Sequence, residues 1–206
     1  MTLFIVSEDQ LSEIVIQKMI TRYKAFSNHN IASLGKQGRG YIQRKINDFN
    51  KQNRIPFFIL ADLDSDECAP GLIKKWMKGQ INHNILLRFA VREVEAWLLA
   101  DTKGFSNYTK LDHSLIIKEV DKPDKLTDPK GKLISLVDRS RNRVLKNDIV
   151  QKNNHSYKQG PGYNSRLSDY INNYWEIERA VASSDSFKRA VNSLVQFNKG
   201  YENEKY

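Results

Sequence analysis

Residues 57–70 read FFILADLDSDECAP, which places Asp62, Asp64, Asp66 and Glu67 within six positions directly after an apolar run. In an extended segment, side chains two apart point to the same side, so Asp62 and Asp64 would share a face while Leu63 turns toward the core. Two carboxylates so placed repel unless a proton or a divalent cation lies between them. Oxygen-rich pockets of this kind suit Mg²⁺ or Mn²⁺. Acids also gather at Glu8 and Asp9 in FIVSED and at Glu93 and Glu95 in VREVEAWLLAD. Hydrolysis of a phosphodiester needs a nucleophilic water and a stabilised leaving oxygen, and one or two divalent ions about 4 Å apart supply both.

Each acid also has a plainer reading. An Asp-x-Asp pair serves equally as a solvated turn or a helix cap. Asp66 and Glu67 suit the N-terminal turn of a following helix, where its dipole favours negative charge. Glu93 and Glu95 face about 200° apart on a helix, so only one points into a site. Glu95, which precedes the apolar run AWLLA, is the choice. Asp9 is assigned to capping a helix rather than to the ligand set.

The elements that must position these acids follow from the hydrophobic pattern. Leu3 to Val6 reads as a buried strand, and Leu11, Ile14, Val15, Met19 and Ile20 recur at helical spacing after it. Tyr23–Leu34 is a second strand candidate; GKQGRG (35–40) breaks the chain, and YIQRKINDFN continues as a helix. PFFILAD, the helix APGLIKKWMKG, the strand NILLRFAV (84–91) and the helical REVEAWLLAD complete an alternation that predicts an α/β fold with a mostly parallel sheet. Ligands of such sheets collect outside the carboxyl ends of the strands, and three of these strands end in acids. Beyond residue 102 the strand signals fade. Helices are predicted at 112–119, 129–138, 163–174 and 184–198, with KPDKLTDPKGK and QKNNHSYKQGPGYN as polar connections. Residues 1–101 are expected to form the core, and 102–206 a helical extension packed on it in one compact unit.

Composition narrows the function classes. The chain has 206 residues, 40% of them hydrophobic, enough for one sizeable core. No stretch of about 18 apolar residues is present, and MTLFIVSEDQ lacks the basic flank of a secretory signal, so a cytoplasmic protein with no membrane partner is expected. A single cysteine, Cys68, excludes an intramolecular disulfide and a Cys-rich zinc cluster. His29, His83, His113 and His155 show no zinc-enzyme spacing, and GKQGRG lacks the Walker pattern. Trp76, Trp97 and Trp175 lie in apolar helical patterns and read as core. The excess of 33 Lys and Arg over 24 Asp and Glu suits a polyanionic partner. Arg139, Arg141 and Arg143 form the densest basic segment, either a phosphate track or a solvated helix end.

Taken together, FIVSED, FILADLD and VREVEAWLLAD resemble the Toprim domain of topoisomerases, primases and OLD-type nucleases over roughly residues 1–100. EAWLLAD, DPKGKLI and SSDSFKRAV are similar, more narrowly, to small stand-alone Toprim-like proteins of bacterial anti-phage defence, often encoded beside an ATPase. The resemblance implies a Toprim-like α/β fold with a helical C-terminal half and a Mg²⁺- or Mn²⁺-dependent nuclease acting on DNA or RNA. It implies Glu8, Asp62, Asp64 and Glu95 as metal ligands and an ATPase as partner. It also implies a downstream lysine that stabilises phosphate charge, for which Lys158 is the candidate. His155, close to Lys158 in sequence, is a candidate for proton transfer or a surface residue. The sequence departs from the family in carrying Asp9 where many relatives have glycine, and Glu13, displaced by one position, is left out of the site. The alternative function is a non-catalytic Toprim-like scaffold with a regulatory cation site.

Overall fold

The structure is a computed structural model that describes residues 1–66, 68–153 and 156–203. It divides into two compact units, Met1–Ala90 with Arg189–Tyr206, and Val91–Lys188.

In the first unit β1 (Thr2–Ser7), α1 (Gln10–Tyr23), β2 (Asn30–Ser33), α2 (Arg39–Asn50), β3 (Phe57–Asp62), α3 (Ala69–Trp76) and β4 (Ile85–Ala90) alternate as expected. The four strands form one sheet in the order β2-β1-β3-β4, and every pairing is parallel. The chain therefore steps outward from β1 to β2, then returns across β1 to build β3 and β4 on the other side. Right-handed crossovers convert that reversal into helices on opposite faces. Accordingly Ile42, Ile46 and Phe49 of α2 and Leu72 and Trp76 of α3 join Val6, Ile59, Ala61, Leu87 and Phe89 in one apolar cluster. Leu3 and Ile5, one residue out of phase with Val6, turn to the other face, where α1 packs against β1 and β3 and buries Leu11, Val15 and Met19.

The second strand is shorter than its predicted span. The helix before it runs on to Tyr23, and Lys24 closes it in the left-handed conformation with its N–H bonded to Ile20 O and Thr21 O. Only Asn30–Ser33 then pair with β1.

The second unit is mainly helical, with α4 (Val94–Ala100), α5 (Thr102–Thr109), α6 (His113–Glu119), a 3₁₀ turn (Pro123–Lys125), α7 (Pro129–Asp138), α8 (Arg143–Ile149), the two-stranded antiparallel β5 (Val150–Asn153) and β6 (Ser156–Gln159), α9 (Tyr163–Asn173) and α10 (Ile177–Ser183). A last helix, α11 (Asp185–Asn203), counts with the first unit from Arg189 onward. The core of this unit is built on Trp97 and Trp175, both fully buried. Their indole N–H groups donate to Ser186 Oγ and Trp97 O, each at 3.1 Å. Trp76 in the first unit is buried as well, so all three tryptophans serve as core. Asp101, fully buried, closes the EAWLLAD segment. It accepts from the backbone N–H of Gly104 and Glu176 (both 2.8 Å) and from the Arg179 guanidinium (2.6 and 2.9 Å). No helix among the described residues is long and apolar enough to cross a membrane.

Candidate functional site

An open sheet of this order has a crevice where the chain reverses direction, between the carboxyl ends of β1 and β3. Glu8 is the first residue past β1, and Asp62 is the last of β3. Across the crevice the Glu8 carboxylate accepts the backbone N–H of Asp62, Oε1 to N 3.1 Å. Burial raises the Glu8 carboxyl from an ordinary 4.5 to about 7. The Asp62 N–H and the Arg39 charge oppose that rise, while the neighbouring charges of Asp64 and Asp9 add to it. Among the described residues no ion pair reaches Glu8.

Asp64 departs from the extended geometry expected of it. The strand stops at Asp62, Asp66 N–H closes a turn onto Leu63 O (3.0 Å), and Asp64 takes φ 50°. Aspartate tolerates that left-handed region better than most residues because its short polar side chain bonds locally. Leu63 behaves as read from the sequence and is buried.

The surprise of the site is Arg39, which the sequence reading did not single out. It leaves the glycine-rich GKQGRG loop and opens α2. That loop is laid against the end of β1. Leu34 N–H donates to Ile5 O (2.9 Å), and Gly38 N–H donates to Glu8 O (3.0 Å) at φ +75°, a conformation that suits glycine. A Cβ on Gly35 would stand 3.0 Å from Ser7 O, so the loop approaches only without a side chain there. Arg39 Nη1 then bonds Asp64 Oδ2 at 2.6 Å, and Nη2 bonds Asp66, which Lys75 Nζ also reaches at 3.1 Å. The guanidinium lies 5.4 Å over the Trp76 ring. These donors hold the Asp66 carboxyl below the usual carboxylate range. The only signal in the sequence was a cation between glycines next to a strand, and it takes the sheet order to bring it over the acids.

Asp9 caps α1, its Oδ1 accepting Ser12 N–H at 2.8 Å, as expected. Glu13 faces away to Ser33 Oγ (2.9 Å), Gln17 (3.1 Å) and Lys36 (3.5 Å). Glu67 and His155 lie outside the described residues.

Glu95 belongs to the second unit, in the first turn of α4. It is 3% exposed, and burial raises its carboxyl to about 7. The Tyr163 hydroxyl donates to Oε1 at 2.7 Å, and Lys130 Nζ stands 3.9 Å from the same oxygen and 5.1 Å from the Tyr163 ring centre. Lys130 comes from the DPKGK segment, where Asp128 caps α7 through Gly131 N–H (2.7 Å) and Glu93 accepts the Lys130 N–H (2.9 Å). Glu93 thus ties a helix end, while Glu95 is enclosed. Lys158 is exposed on β6 opposite Gln151. Arg139 is tied to Glu119 at 3.1 Å, while Arg141 and Arg143 are exposed.

Carboxylate oxygens fit a hard divalent cation in kind, and the uncompensated charge around Glu8 is what such an ion would offset. Among the described residues, however, no three Asp, Glu, His or Cys side chains already stand as a ligand cluster.

No protein-family model and no curated protein matches the chain. Among solved structures the chain is similar to the C-terminal region of the Burkholderia pseudomallei OLD protein, with TM-score 0.51 and 12% identity over 97% of each chain. At that identity the likeness shows the fold alone.

Proposed function

We propose that the chain is a metal-dependent nuclease that hydrolyses phosphodiester bonds of DNA or RNA and works beside an ATPase as the effector of an anti-phage defence system. The reading is supported by the fold similarity to an OLD protein region and by the acid motifs that resemble Toprim domains. The observation that carries it is the desolvated Glu8 carboxylate at the β1/β3 crevice, bonded to the Asp62 N–H and feeling the charge of Asp64. In this reading Glu8, Asp62 and Asp64 hold Mg²⁺ or Mn²⁺, with Glu95 proposed as a further ligand from the family resemblance. The ion supplies Lewis-acid stabilisation of phosphate oxygens. The chain's own groups do the rest. Arg39 stands beside the acids as a cation that can meet a phosphate. Lys158 is the proposed source of charge stabilisation.

Purified protein, alone and with its ATPase partner, is offered plasmid, single-stranded DNA and tRNA with Mg²⁺ or Mn²⁺. Cleavage by wild type and its loss in Glu8→Gln, Asp62→Asn and Glu95→Ala is expected. Undiminished cutting by all three variants, or none by wild type under every condition, rejects the proposal. The ion pairs that already neutralise Asp64 and Asp66 favour a second reading, a non-catalytic scaffold with a regulatory cation site. Full biological activity of an Asp62→Asn/Asp64→Asn variant would select it.

A further inference from the structure

The helices that cover one face of the sheet in the first unit leave a recess of ≈ 570 Å³ between them. Its walls carry Arg44 and Lys51 from the α2 side and Lys75 and Lys78 from the α3 side, with Asp48 as its one acid. Asp48 already has Lys45 at 3.4 Å and Lys51 at 3.9 Å. Among the described residues neither Arg44 nor Lys78 has an acidic partner within ion-pair distance. The floor is fixed rather than soft: Asn47 donates to Trp76 O at 2.8 Å and accepts Lys78 N–H at 2.9 Å, stapling the two helices together.

The recess is continuous with the candidate site. Lys75 lines it and pairs with Asp66, Asp66 pairs with Arg39, and Arg39 pairs with Asp64. Arg39 opens α2 and Lys51 follows its end. That span of an ideal helix is about 18 Å, or about five phosphate steps along one strand of a duplex. Over that length Arg39, Arg44, Lys51, Lys75 and Lys78 stand against Asp48, Asp64 and Asp66, and a row of cations in net excess matches a repeating anion better than a single small one.

We propose that this recess is a binding track for the phosphodiester backbone of a nucleic acid, leading from Lys51 and Lys78 toward Arg39 and the acids at the β1/β3 crevice. The ligand class rests on the nuclease reading; the track itself is read from the placement of the cations. Contacts here are to phosphate, so they supply affinity and register and no sequence preference. The second basic recess, at Lys110, Arg139 and Arg141, is less suited, because it offers three cations where the first offers four, each recess carrying one lining acid.

The test is equilibrium binding of labelled single-stranded DNA, duplex DNA and RNA of one sequence, across a salt series and in excess EDTA so that no cleavage intervenes. Three proteins are compared. They are wild type, the track variant Arg44→Gln/Lys51→Gln/Lys75→Gln/Lys78→Gln, and a control with the same charge loss, Lys103→Gln/Lys110→Gln/Lys118→Gln/Arg141→Gln. Each cation removed from a phosphate contact lowers the slope of log K against log salt by about 0.9 on duplex or about 0.7 on a single strand. The track variant should therefore lose about 3 in slope, the control little, with both retaining the wild-type melting transition. The arm with the larger loss of affinity identifies the preferred strand type. Equal slopes for track variant and control overturn the proposal, as does absence of wild-type binding in every arm. Competition by polyglutamate as strong as by nucleic acid also overturns it, and points to an acidic protein instead. Salt-dependent binding through the track without cleavage in divalent ions leaves the track standing and removes the nuclease reading. Cleavage by wild type with unaltered slopes does the reverse.

Discussion

Glu95→Gln isolates the energetics of the enclosed carboxylate. In the folded chain the carboxyl is raised from 4.5 to about 7, chiefly by burial, with the Tyr163 hydroxyl and Lys130 only partly offsetting it. The native state thus holds this proton more tightly than the unfolded chain does. Its contribution to stability is complete below about pH 4.5 and is lost as pH rises through about 7. At about 1.4 kcal/mol per pKa unit, ionised Glu95 costs the fold about 3 kcal/mol by pH 8 and about 1 kcal/mol at pH 5. Glutamine keeps an oxygen for the Tyr163 hydroxyl at 2.7 Å and removes the ionisation. Urea unfolding should therefore find the variant more stable than wild type at pH 8 and close to it at pH 5. Glu8 titrates in the same window, but it is only half-buried, so solvent screening makes its share smaller, and it is present in both proteins. Parallel stability curves for wild type and Glu95→Gln from pH 5 to 8 would refute the reasoning, because they would mean that the enclosed group carries no unusual proton affinity.

Two further substitutions probe each unit separately. Arg39→Ala removes the cation that bridges Asp64 and Asp66 and the favourable charge near Glu8, so the Glu8 carboxyl should rise further. The partly exposed pair is worth about 1 kcal/mol, and with one positive charge fewer beside Asp64 and Asp66 the protein should bind Mn²⁺ more tightly by calorimetry. Weaker binding would show that the guanidinium organises the acids instead of competing for them. Asp101→Ala leaves the Gly104 and Glu176 N–H groups without their acceptor and takes from Arg179 its buried partner, with Glu176 and Tyr174 O remaining to it, so about 3 kcal/mol of destabilisation is expected in thermal unfolding. A loss below about 1 kcal/mol would mean that water replaces the carboxylate there.

The parts of the fold that could be read from the sequence were those with a one-sided energetic demand. FIV and FFIL are apolar on both faces and NILLRFA nearly so, broken at Arg88, which only a covered parallel strand requires, and they became β1, β3 and β4. Helix α7 was legible because Asp128 and Pro129 announce its first turn. The hairpin of β5 and β6 was not, since VQKN and SYKQ do not alternate and the strands are largely exposed. Long-range backbone contacts hold it instead: Gly160 N–H to Ile149 O at 2.9 Å and Gly162 N–H to Asp148 O at 2.8 Å. Helix α5 escaped for a similar reason. TKGFSNYT is a poor helix former on propensity, and its start depends on Asp101 and the buried Phe105 and Tyr108.

The same distinction explains the site. Glu8 and Glu13 stand five positions apart in one acidic stretch, yet they differ in kind once folded. Glu13 turns to Ser33, Gln17 and Lys36 and finds three donors. Glu8 projects at the point where the crossover order reverses, a crevice that no local segment defines, and among the described residues its carboxylate receives a single backbone N–H. Of the acids beyond β3, Asp64 and Asp66 have Arg39, which the glycine loop can deliver only because Gly35 and Gly38 let it lie against β1. Charge compensation in the crevice is therefore graded, complete at Asp66 and incomplete at Glu8. In the proposed reading, a divalent ion would meet less competing positive charge at Glu8 than at Asp64, where Arg39 is already bonded.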